Sequence, residues 1–411
     1  MGAHASASPA HVVIIGGGAT GAGVAHDLAL RGLRVTLLER GELTSGTSGR
    51  HHGLLHSGAR YAVGDRVSAL ECIEENTILK RIAPGSFEEN GGLFVAVTDA
   101  DLDHLEPFLQ ACAEARIPTE RITPEHALRE EPNLTPQLRA AVRVPDATID
   151  PMRLMLRFFA TAQRNGARIH PFMEATEITV SGGAVRGVRV LDHVTGRRAE
   201  VAADLVVNAA GPWSGAVAAM AGVTVPMIPS PGVLLALRGR LSNMVINRLH
   251  PSGDGDIVVP QRGLSIVGTS SWVVDDPDDL SVPEEHVRRM YEEGARLIPA
   301  ILHSQRRAAW SAARPLVGEP GTASGRELSR TFQAFDHRRR DGLEGFVSIT
   351  GGKSTTLRAM AESCADLVCL KLGLQRPCAT RETLLLPHTA YYTDERPRRA
   401  RERAAAGGGA R

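Results

Sequence analysis

Apolar and polar positions along the chain alternate in blocks that change period. His11 to Ile15 is a β-branched run that ends in glycines, residues 22–31 carry helical spacing, and residues 33–38 form a second apolar run. This order predicts a β-α-β unit. Residues 41–61 are rich in Gly, Ser and His with neither period, which predicts a long loop beside that unit. Helix spacing returns at 68–82, a strand pattern at 92–97, and helix broken by proline over 99–131. Asp150 and Pro151 supply an N-cap and a first-turn proline for a helix to about residue 165. Strand patterns follow at 168–172, 178–180, 187–191 and Leu205 to Asn208. Beyond 226, short strands such as 257–260 and 264–267 accompany a helix at 283–298. The end of the chain reads as a strand at 346–350, a Gly351-Gly352 turn and a helix at 355–372.

These blocks predict two interleaved units. One is assembled from 1–85, 146–225 and 339–390, the other from 86–145 and 226–338, and an Arg/Ala/Gly tail at 391–411 is expected to be disordered. The net charge of +1 gives no global field to draw the chain onto nucleic acid, so any anion recognition has to be local. Five cysteines without a CxxC pair exclude a disulfide scaffold and fit a reducing cytoplasm. The first ten residues lack the pattern of a secretory signal. The apolar window 205–225 is interrupted by Asn208, Pro212 and Trp213, so membrane contact is expected to be peripheral.

Gly16-x-Gly18-x-x-Gly21 follows the first strand and opens the first helix, as a dinucleotide fingerprint requires. Gly16 permits the tight turn, Gly18 the approach of a pyrophosphate, and Gly21 close packing of helix on strand. Ala19 and Thr20 lie in the helix N-terminus that faces the anion. Glu39, about twenty residues on, is placed to accept from a ribose hydroxyl, with Arg40 beside it. The donor-rich loop Thr44, Ser45, Gly46, Thr47 and Ser48, and the late Gly351-Gly352 turn before a helix, favour FAD over NAD. Arg60 with Tyr61, Arg314, Arg330 and Lys353 are dispersed cations that would form an anion-binding cup if folding gathers them. His51, His52 and His56 fall within six residues and show no metal-ligand spacing, so no metal is expected. Each is a candidate general base, flavin contact or structural residue.

The stretches IIGGGATGAGVAHDLALRGLRVTLLER, TSGTSGRHHGLLHSGARYAV, VVNAAGPWS, SAARPLV and SITGGK resemble the FAD-dependent glycerol-3-phosphate dehydrogenases, with the strongest likeness to the catalytic chains, called A, of the anaerobic bacterial enzymes. The resemblance runs to about residue 390. It implies an α/β fold of D-amino-acid-oxidase type, a Rossmann-type FAD domain with an inserted antiparallel-sheet substrate domain. It implies non-covalent FAD held by the fingerprint and loop residues above, with Ala209, Ala210, Gly211, Gly351, Gly352 and Lys353 around the flavin and His52, Gly53, Leu55, His56, Ala175 and Ser354 as further cofactor contacts. Arg60, Tyr61, Arg314 and Arg330 would bind substrate, and Arg314, His56 and Lys353 would serve catalysis. The reaction implied is oxidation of sn-glycerol 3-phosphate to dihydroxyacetone phosphate by hydride transfer from C2 to flavin N5, with the base left open between His56 and a group near Arg314. Electrons would pass to a partner subunit or a quinone, and a homodimer is a further expected assembly. The alternatives are a 2-hydroxy-acid dehydrogenase of the same fold and a flavin-binding subunit without catalysis. Two departures stand out: Ser354-Thr355-Thr356-Leu357-Arg358 follows the Gly-Gly-Lys where the family has Leu or Met, another residue, then Thr-Tyr-Arg, and the family's cysteine-rich C-terminal domain has no counterpart here.

Overall fold

The computed structural model describes residues 9–318, 328 and 331–393. β1 (His11–Ile15), α1 (Ala19–Leu30) and β2 (Arg34–Leu38) form the predicted β-α-β unit. β1 lies at the centre of a six-stranded sheet, parallel to β2 on one side and to Leu205–Asn208 on the other. Arg168–His170 closes one end, parallel to β2. Phe346–Gly351 extends the other.

All five residues of β1 are buried, as an apolar run covered on both faces must be. One face packs α1 and the helices Pro151–Arg164 and Leu357–Lys371 around Val12, Ile14, Leu28, Phe158 and Cys364. The other meets the meander Met173–Ser181, Ala184–Asp192 and Arg198–Ala202 through Val13, Ile15, Val188 and Phe346. Asp150 caps the Pro151 helix by accepting from the Arg153 amide at 3.1 Å.

The second sheet has eight strands, with Gly92–Ala96, Glu120–Ile122 and Ala140–Val144 joined to five strands from Met227–Arg238 to Arg306–Val317. It is the expected antiparallel sheet, with one parallel pair, Val245–Arg248 with Gly92–Ala96. The α/β class, with a Rossmann-type sheet and an inserted second sheet, is the one observed.

Three expectations change in detail. Phe332–Asp336, assigned from sequence to the second unit, pairs antiparallel with Phe346–Gly351 and so belongs to the six-stranded sheet. The 41–61 loop contains a helical turn at Thr47–Arg50, a two-residue strand at Leu54–Leu55 and a 3-10 turn at Ala59–Tyr61. Residues 391–393 end the short helix Ala390–Thr393, and the rest of the expected tail lies outside the described residues. Among the described residues no helix is long and apolar enough to cross a membrane.

Candidate functional site

The turn after β1 is built by contacts that leave no room for a side chain. Gly16 has φ +113°, and a Cβ there would stand 2.5 Å from the Ala209 carbonyl oxygen. A Cβ on Gly21 would stand 1.9 Å from the Gly16 carbonyl oxygen. Only glycine lets β1, α1 and the strand ending at Asn208 come this close. Beside the turn, Glu39 Oε2 accepts from the Gly17 amide at 2.7 Å and Oε1 from the Gly41 amide at 2.8 Å. Ser48 Oγ accepts from the Ala19 amide at 2.8 Å, which folds the donor-rich loop over the N-terminus of α1.

From this cradle a cavity of about 1010 Å³ extends between the two sheets. Gly16, Gly18, Ala19, Thr20, Glu39, Arg40, Ser45, Gly46, Thr47 and Ser48 line one end. His52, His56, Arg60, Tyr61, Ala175, Ala209, Ala210, Gly211, Arg314, Gly351, Gly352, Lys353 and Ser354 also contribute to its wall. The structure thus brings together residues drawn from 16 to 354. Four expected contacts are not on the wall. Gly21 lies behind the turn, and the buried Thr44 turns its hydroxyl to Met152 Sδ at 3.4 Å. Gly53 packs against Gln261 and Ile149, and Leu55 is fully buried in the core. Arg330 lies outside the described residues.

Three histidines form a row along the cavity. Ring centres are 6.1 Å apart from His51 to His52, 5.9 Å from His52 to His56, and 5.3 Å from His56 to Tyr61. His51 Nδ1 accepts from the Gly53 amide at 2.9 Å and His52 Nδ1 from the Leu54 amide at 3.2 Å. A ring nitrogen that accepts carries no proton, so both rings are Nε2–H tautomers. Burial pushes the His51 pKa down to about 4. Burial, with His51 and Arg60 nearby, pushes that of His52 down to about 3. Burial, followed by His52, Arg60 and Lys353, holds His56 well below the ordinary histidine value. All three are neutral at pH 7. The backbone of His56 is fixed on both sides: its amide donates to Thr355 Oγ1 at 3.2 Å and its carbonyl accepts from Asn76 Nδ2 at 3.2 Å. The next amide, Ser57, donates to Asp146 Oδ1 at 2.7 Å.

The cations are held differently from one another. Lys353 Nζ donates to Ser68 Oγ at 3.1 Å and stands 4.8 Å from the centre of the Tyr61 ring. Arg314 Nη1 donates to the carbonyls of Ser230 and Pro231 at 3.1 and 3.2 Å, and Nη2 to the Ser270 carbonyl at 3.0 Å and to the Thr269 hydroxyl. Its fork is therefore turned onto backbone, although the residue lines the cavity. Arg60 Nη2 meets both oxygens of Asp256, at 2.7 and 2.8 Å.

The cavity fits a dinucleotide. Its glycine cradle is closed to any Cβ, and the wall residues Trp213, His51 and Ser354 each carry a buried polar atom that has no partner among the described residues. An elongated ligand with phosphate, hydroxyl and carbonyl groups meets such needs. Arg40 stacks 4.6 Å over Trp213, and Gly46 packs on the same ring. Sequence reading missed Trp213, Asp256, Asn76 and Thr355. Asp256 sits in a Gly/Asp-rich turn just before a strand, which marks a turn without saying which acid faces inward.

Residues 11–358 match the family described as FAD dependent oxidoreductase. The A chain of the anaerobic glycerol-3-phosphate dehydrogenase of Escherichia coli is 47% identical over 376 residues, which cover 91% of this chain and 69% of that protein. The A1 chain of the corresponding enzyme of Haloferax volcanii is 44% identical, over 90% of this chain and 65% of its own length. Among solved structures, the glycerol-3-phosphate dehydrogenase from Bacillus halodurans complexed with FAD superposes with a TM-score of 0.71 at 24% identity, over 97% of this chain and 73% of that one.

Proposed function

The chain belongs to the FAD dependent oxidoreductases and, within them, to the family of the catalytic chains of anaerobic glycerol-3-phosphate dehydrogenase, and we propose that it oxidises sn-glycerol 3-phosphate to dihydroxyacetone phosphate. The observation that carries this reading is a single cavity that joins a dinucleotide cradle to a wall of cations beside a neutral histidine. Bound FAD supplies the acceptor for the hydride that leaves C2. The cradle from Gly16 to Thr20, with Glu39 and Ser48, holds the adenosine and pyrophosphate half, and Ala209 to Gly211 with Gly351 to Ser354 hold the flavin half.

His56 accepts the C2 hydroxyl proton, because its imidazole is uncharged at neutral pH, lines the cavity and so has a ring-nitrogen lone pair to offer there. Lys353 and Arg60 place positive charge where the substrate phosphate and the developing alkoxide need it. Tyr61, packed against both His56 and Lys353, fixes their spacing. Arg314, anchored on backbone carbonyls, contributes long-range positive potential, and its fork binds phosphate only by exchanging those carbonyls. Arg330 is a further candidate phosphate contact. Electrons leave for a partner subunit or a quinone. The relatives being named as members of a multi-chain enzyme supports that reading.

Anaerobic mixing of the FAD-loaded protein with sn-glycerol 3-phosphate tests the role of Arg314. Bleaching of the flavin band slows in Arg314→Ala; bleaching at the wild-type rate and substrate dependence removes that arginine from the site.

A further inference from the structure

We propose that Asp256 is a positioning residue for Arg60, fixing which edge of that guanidinium the cavity receives. The inference rests on Arg60 being a substrate contact, as proposed above. Asp256 immediately precedes the strand Ile257–Gln261 of the second sheet, whereas Arg60 lies in the turn Ala59–Tyr61 of the first unit's loop. Their contact crosses between the two units and is almost entirely out of solvent, with side chains 11% and 1% exposed.

The pairing is end-on. Both Asp256 oxygens meet one nitrogen, Nη2, at 2.7 and 2.8 Å. A fork-to-fork pair occupies two guanidinium nitrogens. This one leaves the Nη1 and Nε edge without a hydrogen bond among the described residues, in a side chain that lines the cavity. The carboxylate is itself held: Oδ2 accepts from the Gly253 amide at 2.7 Å and stands 3.4 Å from His250 Nε2, and His250 also lines the cavity. Burial opposes charge on Asp256, but Arg60, His250 and the Gly253 amide outweigh it and keep the carboxyl ionised. A fixed anion behind a cation does two things. It orients the cation, and it removes the entropy of ordering a long side chain when the substrate anion arrives.

The test uses the FAD-loaded full chain, with sn-glycerol 3-phosphate as substrate and an electron-accepting dye. Asp256→Asn raises KM by about thirtyfold or more, the low end for removing one partner of a buried charge pair, with a much smaller change in kcat. In an Arg60→Ala background the same substitution adds no further rise, because it acts only through Arg60. His250→Gln removes the outer brace in a milder variant, should Asp256→Asn not fold. Its smaller KM rise also vanishes in the Arg60→Ala background. Independent, multiplicative effects on KM, or losses confined to kcat, overturn the proposal. A wild-type protein whose flavin is not bleached by sn-glycerol 3-phosphate defeats the substrate reading instead, so the two failures are distinct.

Discussion

Two groups of buried charge, one on the cavity wall and one away from it, are wired differently. Away from the wall, Arg358 is fully buried and binds Glu75 through Nε at 2.9 Å and Nη2 at 2.5 Å, Glu362 at 2.7 Å and the Thr380 hydroxyl at 3.1 Å. Arg31 likewise binds Asp27 at 2.6 Å and Asp366 at 2.7 Å, and Cys378 bridges the two groups through Asp27 and Thr380. Each guanidinium there is matched by carboxylates. On the cavity wall, Arg60 is matched by a single carboxylate on one nitrogen, Arg314 donates to carbonyls and a hydroxyl, Lys353 donates to a hydroxyl and faces an aromatic ring, and three histidines are kept neutral by burial. A guanidinium whose donors are taken up on several sides by carboxylates holds the fold together. Arg60, with its Nη1 and Nε edge left toward the cavity, can still meet a ligand anion.

The contrast can be broken from either side. Replacing Arg358 by Ala strands the buried Glu75, while Glu362 keeps Arg381, and the expected cost is about 3 to 5 kcal/mol of stability, read by chemical denaturation of the FAD-loaded protein. KM for sn-glycerol 3-phosphate stays unchanged in whatever fraction is folded; a raised KM with intact stability would reverse the assignment. Lys353→Met works the other way. It lowers kcat/KM by about a hundredfold, near 3 kcal/mol of transition-state stabilisation, while the denaturation midpoint barely moves.

An effect that is smallest per unit change of condition concerns His26, fully buried in α1 with both ring nitrogens unpaired and its pKa pushed by burial down to about 3. Below about pH 6.5 the unfolded chain takes up a proton that the folded chain refuses until about pH 3. Stability from this residue is therefore lost as pH falls across that window, by about 1.4 kcal/mol per pH unit. His26→Leu removes that slope. Identical pH profiles for variant and wild type would show that the ring takes up its proton at the same pH in the folded and the unfolded chain.

What was legible from sequence follows the same division between local and long-range causes. The β-α-β unit and the Pro151 helix were legible because glycine, aspartate and proline act on the adjacent backbone. The twelve-residue strands Met227–Arg238 and Arg306–Val317 were not, since Pro229, Pro231, Gly232 and Pro315 argue against strands. Arg306–Val317 tolerates Pro315 as an edge strand, and Pro229 pairs directly opposite it. Arg198–Ala202 was missed because its side chains are mostly exposed and give no apolar alternation. In the site, His56, Arg60 and Lys353 were visible through the motifs that carry them. Asp256 and Thr355 were not, because their partners are 196 and 299 residues away and only folding supplies them.

The central claim is that the cradle and the basic wall serve one redox reaction on a phosphorylated alcohol. Its most direct test is an anaerobic titration of the FAD-loaded wild-type protein with sn-glycerol 3-phosphate and, separately, with 2-hydroxyglutarate, followed at the flavin absorption band. The account predicts full bleaching by the phosphate ester, with one dihydroxyacetone phosphate formed per flavin reduced, and an unchanged spectrum with the hydroxy acid. Bleaching by 2-hydroxyglutarate alone, or by neither compound, would contradict it.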